Sequence, residues 1–265
     1  MEEWKGLFNR LLMVKGDQII FGIHAVLEAV DAGKNLDRVL VRRGAGSDLL
    51  KKLMGELSRR EIPIQQVPVE KLNRVTGKNH QGVIAWLSEI TYGDVTSVIP
   101  SVYELGEDPL LLLLDGVSDV RNFGAIARSA ECAGVHAIVI PASGSAAINA
   151  DAIKTSAGAL HRIPVCRHRD LVSIVRFLKD SGLRIFAATE KAEQVVFNED
   201  MTGPVGIILG SEERGVSNVL LKDADVWVSI PMKGTISSLN VSVAAGIMLF
   251  EVIRQRNSKA YLSGN

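Results

Sequence analysis

The sequence predicts an α/β protein whose strands form a mainly parallel sheet with helices on both faces. Short apolar runs alternate with stretches of helical periodicity along most of the chain. Residues 110–114 are a continuous leucine run that ends at Asp115 and Gly116, which is typical of a strand buried on both faces. A hydrophobic content of 47% over 265 residues suits one large domain or two small ones.

A small α/β unit is predicted over residues 17–90, after an N-terminal extension of residues 1–16. Its strands are expected at 18–21, 38–41, 62–67 and 82–87. The first helix has Ile23, Val26, Leu27 and Val30 on one face, with Gly33 as the stop signal. Ser47 is expected to cap the second helix, because a serine hydroxyl accepts a hydrogen bond from a free N–H of the first turn.

Residues 91–108 contain Gly, Pro and Ser with little periodicity, and we expect a linker there. The second unit is predicted over residues 109–257, followed by a C-terminal tail of residues 258–265. Further strands are expected at 136–140, 184–188, 205–209 and 226–230. Asp170 is expected to cap a helix that Gly182 closes.

Composition excludes several classes of protein. The chain has 30 Lys/Arg and 30 Asp/Glu, so its overall charge does not indicate nucleic-acid binding. Residues 1–90 hold 14 Lys/Arg against 11 Asp/Glu, which makes this part slightly basic. Cys132 and Cys166 stand in apolar stretches, and we expect two buried, inert thiols, without a disulfide framework or metal site. We expect neither a signal peptide nor a membrane span, and we expect a cytoplasmic location.

The stretch 230–246 ends an apolar run, turns at Pro231 and then enters a long apolar helix. Ser237, Ser238 and Asn240 are residue types that favour a helix start. Such a corner exposes backbone N–H groups, which can hold a polar ligand against the preceding strand. An ordinary strand–turn–helix connection is the alternative.

A second stretch, residues 115–130, starts where the leucine run ends. Asn122 is expected to cap a helix, and Gly124 permits the close approach of a neighbour. Arg128 follows six residues after Asn122. A guanidinium near a helix start suits a phosphate or carboxylate partner, whereas a solvent-facing arginine is the alternative.

A third stretch, residues 207–217, is a predicted strand followed by an acidic loop between two glycines. Gly210 and Gly215 have the spacing of a phosphate-binding loop, but Val216 stands where that loop needs lysine. No predicted strand is followed by the pattern G-x-G-x-x-G. A usual nicotinamide enzyme, or a methyltransferase with the common glycine-rich nucleotide loop, is therefore not expected.

In this order and spacing the three stretches resemble the motifs of the SpoU (TrmH-type) branch of the SPOUT RNA 2′-O-ribose methyltransferases. The motifs are Asn122-x-Gly124-x-x-x-Arg128, Leu209-Gly210-x-Glu212-x-x-Gly215, and the segments 230–232 and 238–242. Residues 22–26 and 80–83 resemble the small substrate-binding domain of bacterial 23S rRNA guanosine 2′-O-methyltransferases. The resemblance covers residues 18–256. Arg121 and Phe123 depart from the family's usual residues beside Asn122.

The resemblance implies a parallel-sheet α/β-knot (trefoil) SPOUT methyltransferase domain, preceded by a small, ribosomal L30e-like RNA-binding domain. It also implies S-adenosylmethionine as cofactor, RNA as partner, and a homodimer with the active site at or near its interface. The residues that match cofactor contacts are Gly210, Ile230 and Leu239. Those that match catalytic or substrate-positioning residues are Asn122, Arg128, Glu212, Ser238 and Asn240.

The chemistry of methyl transfer agrees with this set. A methyl sulfonium is already activated, so the enzyme must align a ribose 2′-OH with it and help to remove the hydroxyl proton. Alignment can lower the activation barrier by roughly 7–11 kcal/mol. The family proposal makes Arg128 the base, but a side-chain pKa above about 12 favours a role in orienting phosphate and stabilising alkoxide charge. Glu212 is expected to hold Arg128 or the backbone donors of its own loop.

The sequence therefore predicts methylation of a ribose 2′-OH in RNA, with a guanosine of 23S rRNA as the expected target. A tRNA methyltransferase of the same branch is one alternative, and a non-catalytic RNA-binding or ribosome-assembly factor is another. The pairs Arg42–Arg43, Lys51–Lys52 and Arg59–Arg60 are candidate phosphate contacts or simply solvated charges. For His24 and His80 there are two alternatives: each contacts RNA, or each makes a local structural hydrogen bond.

Overall fold

A computed structural model describes residues 19–236 and 238–263, with the backbone alone for residues 259–263. The expected extension 1–16 and Ser237 lie outside the described residues. The chain divides into two compact units, of which the first ends at Thr91 and the second begins at Tyr92. Within the described ranges, no helix is both long enough and apolar enough to cross a membrane.

The first unit contains a four-stranded mixed sheet. Its elements in order are β1 Ile19–Phe21, α1 Ile23–Asp31, β2 Leu36–Arg42, α2 Asp48–Arg59, β3 Ile64–Val67, α3 Val69–Val75 and β4 Val83–Leu87. The strand order is β1–β4–β2–β3, with β4 antiparallel to both neighbours and β2 parallel to β3. One face packs on α1 and α2, and the other packs on Leu72 of α3.

Helical periodicity predicted two of the three helices of this unit. Val26, Leu27 and Val30 are buried as expected, and the N–H of Leu50 donates to Oγ of Ser47 at 3.2 Å. Helix α3 was not predicted, because Leu72 is its single buried residue. One buried side chain in a seven-residue helix leaves no apolar repeat to detect.

The second unit contains most of the chain's regular structure. Its elements are β5 Tyr92–Gly93, α4 Val95–Glu104, β6 Leu110–Asp115, α5 Val120–Cys132, β7 Ala137–Pro141, α6 Ala150–Thr155, β8 Val165–His168, α7 Leu171–Asp180, β9 Arg184–Ala188, β10 Val205–Gly210, α8 Asn218–Asp223, β11 Val226–Val228 and α9 Val241–Ser263. Helix α9 continues well into the segment expected as a tail. Short 3₁₀ helices lie at Ala159–His161 and Val196–Asn198.

The sheet of the second unit is parallel throughout. Its strand order is β11–β9–β10–β6–β7–β8–β5, and each neighbouring pair runs in the same direction. The leucine run forms β6 at the centre of the sheet, where all five leucines are at most 1% exposed. The prediction of an α/β fold with a parallel sheet is confirmed.

The segment 91–108 differs from the expected linker. Strand β5 pairs with β8 at the edge of the sheet, and α4 buries Val95, Ile99 and Val102. These three residues have the i, i+4, i+7 spacing of a helix face. The prediction was wrong because Pro100 inside the helix, together with nearby Ser and Gly, concealed that spacing.

The two cysteines have different environments. Cys166 is buried in β8, and burial raises its pKa to about 12, with Asp94 adding a smaller effect of the same sign. It is therefore an inert thiol, as expected. Cys132 is exposed at the end of α5, which corrects the expectation of a buried residue. Its apolar neighbours lie on the buried face of the helix, whereas Cys132 lies on the other side.

Candidate active site

The three sequence motifs meet at the carboxyl ends of neighbouring strands. Strand β6 ends at Asp115 and β10 ends at Gly210, and these two residues are partners in the parallel register. The loops that follow both strands therefore start side by side, at the edge where open α/β sheets bind ligands. The third motif leads into α9, which packs against α5, the helix that carries the first motif.

Asn122, Glu212 and Asn240 form a hydrogen-bonded group that we call the amide–carboxylate cluster. Oε1 of Glu212 accepts from Nδ2 of Asn122 at 2.5 Å and from Nδ2 of Asn240 at 3.0 Å. Nδ2 of Asn240 also donates to Oδ1 of Asn122 at 3.0 Å. Oε2 of Glu212 has no hydrogen-bond partner among the described residues. One carboxylate thus organises residues from all three motifs and keeps an oxygen available.

Asn240 has a second function at the start of α9. Its Oδ1 accepts from the N–H of Ser242 at 2.9 Å and from the Ser242 hydroxyl at 2.6 Å, as a helix cap does. Because Oδ1 faces the helix, Nδ2 must face Glu212 and Asn122. The helix start therefore sets the orientation of the amide in the cluster.

Asn122 does not cap α5, which corrects the expectation from the sequence. The cap is Asp119, whose Oδ1 accepts from the N–H of Asn122 at 2.8 Å. Asn122 lies within the first turn, so its own side chain is free to reach Glu212. The prediction was wrong because aspartate and asparagine are equally good caps, and Asp119 stands only three positions before Asn122.

Gly210 allows the loop after β10 to fold back on itself. A Cβ atom at Gly210 would lie 1.9 Å from the carbonyl carbon of Gly215 and 2.0 Å from the nitrogen of Val216. The returning chain is held by the N–H of Gly215, which donates to the carbonyl of Ser211 at 2.8 Å. The N–H of Ser217 donates to Oδ2 of Asp115 at 2.7 Å, which ties this loop to the end of β6. No side chain larger than hydrogen fits at Gly210.

Two cavities adjoin this loop. The first has a volume of about 420 Å³, and its lining includes five residues predicted from the sequence: Gly210, Glu212, Ile230, Ser238 and Leu239. The second, of about 670 Å³, is lined by Asn122, Asp119 and Gly144, among others. Both include Lys191, Val241 and residues 211–215, with Glu212 among them. The amide–carboxylate cluster therefore lies where the two cavities meet.

Arg128 lies apart from the other predicted residues. It is exposed on α5, six residues beyond Asn122, and no described residue forms an ion pair or hydrogen bond with it. Six residues of α-helix correspond to about 9 Å along the axis and about 120° around it. Glu212 holds the two amides of the cluster rather than Arg128 or the backbone of its own loop, in contrast to the expectation.

Sequence reasoning missed three contributors to the site. Asp115 holds the N–H of Ser217 at 2.7 Å, and the polar residue that ends the leucine run was the available signal. Ser242 orients Asn240, and its place two residues after Asn240 is the spacing of a local side-chain-to-backbone hydrogen bond. Lys191 lines both cavities from the loop after β9. Nothing in its local sequence distinguishes Lys191 from an ordinary loop lysine.

Metal ligation does not explain the arrangement. In the described part of the chain, His, Cys, Asp and Glu side chains form no group of three or more that could hold a metal ion. Carboxamide and carboxylate side chains around paired cavities are suited to holding polar organic groups in a defined orientation. The fold and the site together define an α/β protein with a ligand-binding centre at the carboxyl ends of its central strands.

Comparison with known families specifies the kind of centre. Residues 109–250 match the SpoU rRNA methylase family, and residues 19–93 match the RNA 2′-O ribose methyltransferase substrate-binding family. The chain belongs to the SpoU rRNA methylase family. The family recognised from the three motifs, and the expectation of a methyltransferase, are confirmed.

Relatives of the chain match it over nearly its whole length. A 23S rRNA (guanosine-2′-O-)-methyltransferase RlmB of Yersinia pestis is 37% identical, over 92% of this chain and 99% of its own. A putative TrmH family tRNA/rRNA methyltransferase of Staphylococcus saprophyticus is 34% identical, over 90% and 96%. The SpoU methyltransferase AviRb of Streptomyces viridochromogenes, solved in complex with AdoMet, has a TM-score of 0.58 and 25% identity, and the match covers 97% of this chain and 98% of AviRb.

Proposed function

We propose that this protein transfers a methyl group from S-adenosylmethionine to the ribose 2′-OH of a guanosine in 23S rRNA. The observation that carries the proposal is the position of the amide–carboxylate cluster between two adjoining cavities. Methyl transfer needs a donor and an acceptor in line, and two cavities that share one wall provide that geometry. The similarity to RlmB supports 23S rRNA as the substrate.

The first cavity is the proposed cofactor site. Its volume of about 420 Å³ lies within the usual range for sites that bind small molecules. Leu209, Val228 and Ile230 supply apolar walls, which suit an adenine ring, and Gly210 lets the ligand approach the backbone. Leu239 and Ser238 line the cavity from the loop before α9.

The second cavity is the proposed site of the acceptor ribose. Asn122 and Glu212 line it, and Oε2 of Glu212 keeps its hydrogen-bonding capacity. A carboxylate oxygen at this position accepts a hydrogen bond from the ribose 2′-OH and orients the hydroxyl oxygen toward the methyl donor. Asn122 and Asn240 keep that carboxylate in one orientation by donating to its other oxygen.

In the proposed mechanism, Arg128 acts on the substrate of the other subunit of a homodimer. In one chain Arg128 lies well around α5 from Asn122, and the guanidinium that lines the acceptor cavity from the same chain is that of Arg214. We therefore propose that Arg128 reaches the acceptor site from a second copy. Helix α9 packs beside α5 and leaves Val243 and Phe250 about half exposed, at 50% and 51%. The proposal is that the same surface of a second copy covers these residues in a twofold contact, and that the partner's α5 brings Arg128 to the acceptor site.

The knot and the domain assignments belong to the same proposal. The trefoil knot is proposed from the resemblance to the family, and the return of the chain from the edge strand β11 to pack α9 beside α5 is compatible with it. The first unit is proposed to be the L30e-like, RNA-binding domain, in agreement with its mixed sheet and its family match. A cytoplasmic location follows from an rRNA substrate.

The test is a map of ribose methylation on all rRNA and tRNA from a strain that lacks this protein. Loss of one 2′-O-methylguanosine in 23S rRNA, restored by the purified enzyme with S-adenosylmethionine, is the expected result. Loss of a tRNA methyl group instead would support the second candidate, which the relative from Staphylococcus saprophyticus keeps open. An unchanged methylation map would overturn both and favour a non-catalytic RNA-binding factor.

A further inference from the structure

One end of the first unit's sheet collects the glycine-rich loops of that unit. The carboxyl ends of β1, β2 and β3 and the start of β4 lie there, because Phe21 pairs with Ile84 and Val41 pairs with Val83. The connecting segments at this end are residues 22, 43–47, 68 and 76–82, and Arg42 is the last residue of β2 beside them. With Arg42 included, they contain three Lys/Arg, the others being Arg43 and Lys78, and no Asp or Glu. Asp48 and Glu70 follow in the first turns of α2 and α3. We call this surface the arginine end.

The opposite end of the same sheet has a different charge pattern. Its connecting segments are residues 32–35, 60–63 and 88–91, which contain two Lys/Arg and two Asp/Glu. Positive and negative charges there offset one another, so that end has no net attraction for a polyanion. A net positive charge in the connecting segments of this unit is therefore found at one end of the sheet and not at the other.

In two of the three candidate basic pairs of the sequence, one member forms an ion pair, whereas Lys52 and Arg60 form none with a described residue. Lys51 binds Asp48 at 3.0 Å, and Arg59 forms an ion pair with Glu56. Arg42, Arg43 and Lys78 are exposed, and no described acid lies within ion-pair distance of them. Cations without an acidic partner can bind phosphate without first breaking an ion pair. Nζ of Lys78 lies 5.8 Å from the centre of the Phe21 ring.

His80 keeps the loops of the arginine end in place. Its Nδ1 accepts from the N–H of Gly82 at 2.9 Å, which leaves Nε2 to donate to Oδ1 of Asn73 at 2.9 Å. His80 is buried, with 8% exposed, so its function is a local structural hydrogen bond and not contact with RNA. A Cβ at Gly82 would lie 3.2 Å from Cβ of Arg42, so the two loops touch.

We propose that the arginine end of the first unit is the surface that binds the phosphate backbone of the RNA substrate, with Arg42 and Arg43 as its principal contacts. This inference rests on the proposed function for the identity of the RNA. The loop glycines add exposed backbone N–H groups that suit phosphate oxygens. The pairs Lys51–Lys52 and Arg59–Arg60 are assigned to solvated or ion-paired surface.

The test compares two double variants that remove equal charge from the same unit. The variant Arg42→Ala with Arg43→Ala keeps both Cβ atoms and therefore the contact with Gly82. The control is Lys51→Ala with Lys52→Ala. Binding of the full-length protein to in vitro transcribed 23S rRNA is measured over a range of KCl concentrations. Each lost phosphate contact lowers the salt slope by about 0.7, so the arginine variant should lose about 1.4 and the control nothing.

Equal slopes for wild type and the arginine variant would overturn the proposal, as would an equal loss in the control or no binding by the wild-type protein. Adding Lys78→Ala to the arginine variant should lower the slope by about 0.7 more. Methyl transfer and S-adenosylmethionine binding are measured on the same preparations. If the wild type transfers methyl groups and the arginine variant keeps the wild-type salt slope, only the proposal for the arginine end is contradicted. If the arginine variant has a lower salt slope but the wild type transfers no methyl group, only the proposed function is contradicted.

Discussion

Glu212 and Asn240 come from two separate loops, and one hydrogen bond of 3.0 Å between Oε1 and Nδ2 joins them. The same carboxylate oxygen accepts from Asn122, which lies 90 positions earlier in the chain. A single acceptor that binds two amides fixes the positions of two loops relative to the first turn of α5. This convergence gives the site its geometry, and it can be tested residue by residue.

Replacing Glu212 by Ala removes the acceptor that the two amides share. Because Glu212 is exposed, water can satisfy Asn122 and Asn240, and we expect little change in stability. The single-turnover rate of methyl transfer should fall by roughly 10²–10³, the scale of a lost transition-state hydrogen bond. Glu212→Gln keeps an acceptor and should lose less. Transfer by Glu212→Ala at the wild-type rate would remove the carboxylate from the mechanism.

Asn240→Asp separates the two functions of that side chain. A carboxylate oxygen still caps α9 by accepting from Ser242, so the unfolding temperature should stay near that of the wild type. The Nδ2 donor is lost, however, and a second carboxylate now faces Glu212 across the former 3.0 Å hydrogen bond. Turnover should therefore collapse. Thermal unfolding and methyl transfer are measured together, and a large loss of stability with normal turnover would contradict this division.

Gly210→Ala should damage both stability and cofactor binding. Its Cβ would lie 1.9 Å from the carbonyl carbon of Gly215, so the loop must move. Overpacking of this kind costs about 1–3 kcal/mol, and the first cavity loses its shape. The control is Gly203→Ala, whose Cβ would meet nothing within 4 Å. Chemical denaturation and calorimetry with S-adenosylmethionine give the comparison, and similar values for the two variants would refute the argument.

Arg128 and Glu212 should complement each other between subunits. Arg128→Ala alone should abolish turnover while preserving cofactor affinity, and Arg128→Lys should be largely inactive because an ammonium lacks the planar multi-donor guanidinium. Mixing inactive Arg128→Ala and Glu212→Ala proteins, with exchange of subunits, creates heterodimers with one intact site. Random pairing predicts recovery of about a quarter of wild-type activity. Each variant mixed with itself is the control, and no recovery would mean that each chain supplies its own Arg128.

The pH dependence of stability should reveal Glu251 in α9. Hydrogen bonds from Arg254, at 2.7 and 2.8 Å, lower the pKa of this buried carboxyl. A lowered folded-state pKa stabilises the protein above the ordinary carboxyl pKa of about 4.3, and the effect is lost as the pH falls through the folded value. Glu251→Gln should therefore lower the unfolding temperature near neutral pH, with the difference shrinking in acid. A difference that is independent of pH would exclude this origin.

Local sequence patterns were sufficient to predict a large part of the fold. The leucine run predicted the central strand because five adjacent leucines can be buried only between two covered faces. Ser47 and Asp170 marked helix starts because caps depend on bonds within one turn. Prediction failed for α3 and α4, where a single buried residue or an internal proline left no clear period.

The sequence by itself determined the α/β class, the three motifs and the residue types available for chemistry, because each depends on neighbours within a few positions. Only the tertiary structure decided that Asp119, and not Asn122, caps α5, that Asn122 and Asn240 share one oxygen of Glu212, and that Arg128 stands apart. These facts depend on residues that the parallel register of β6 and β10 and the packing of α9 on α5 bring together from distant positions. Local propensity contains no information about such contacts, since they form only when the sheet is assembled.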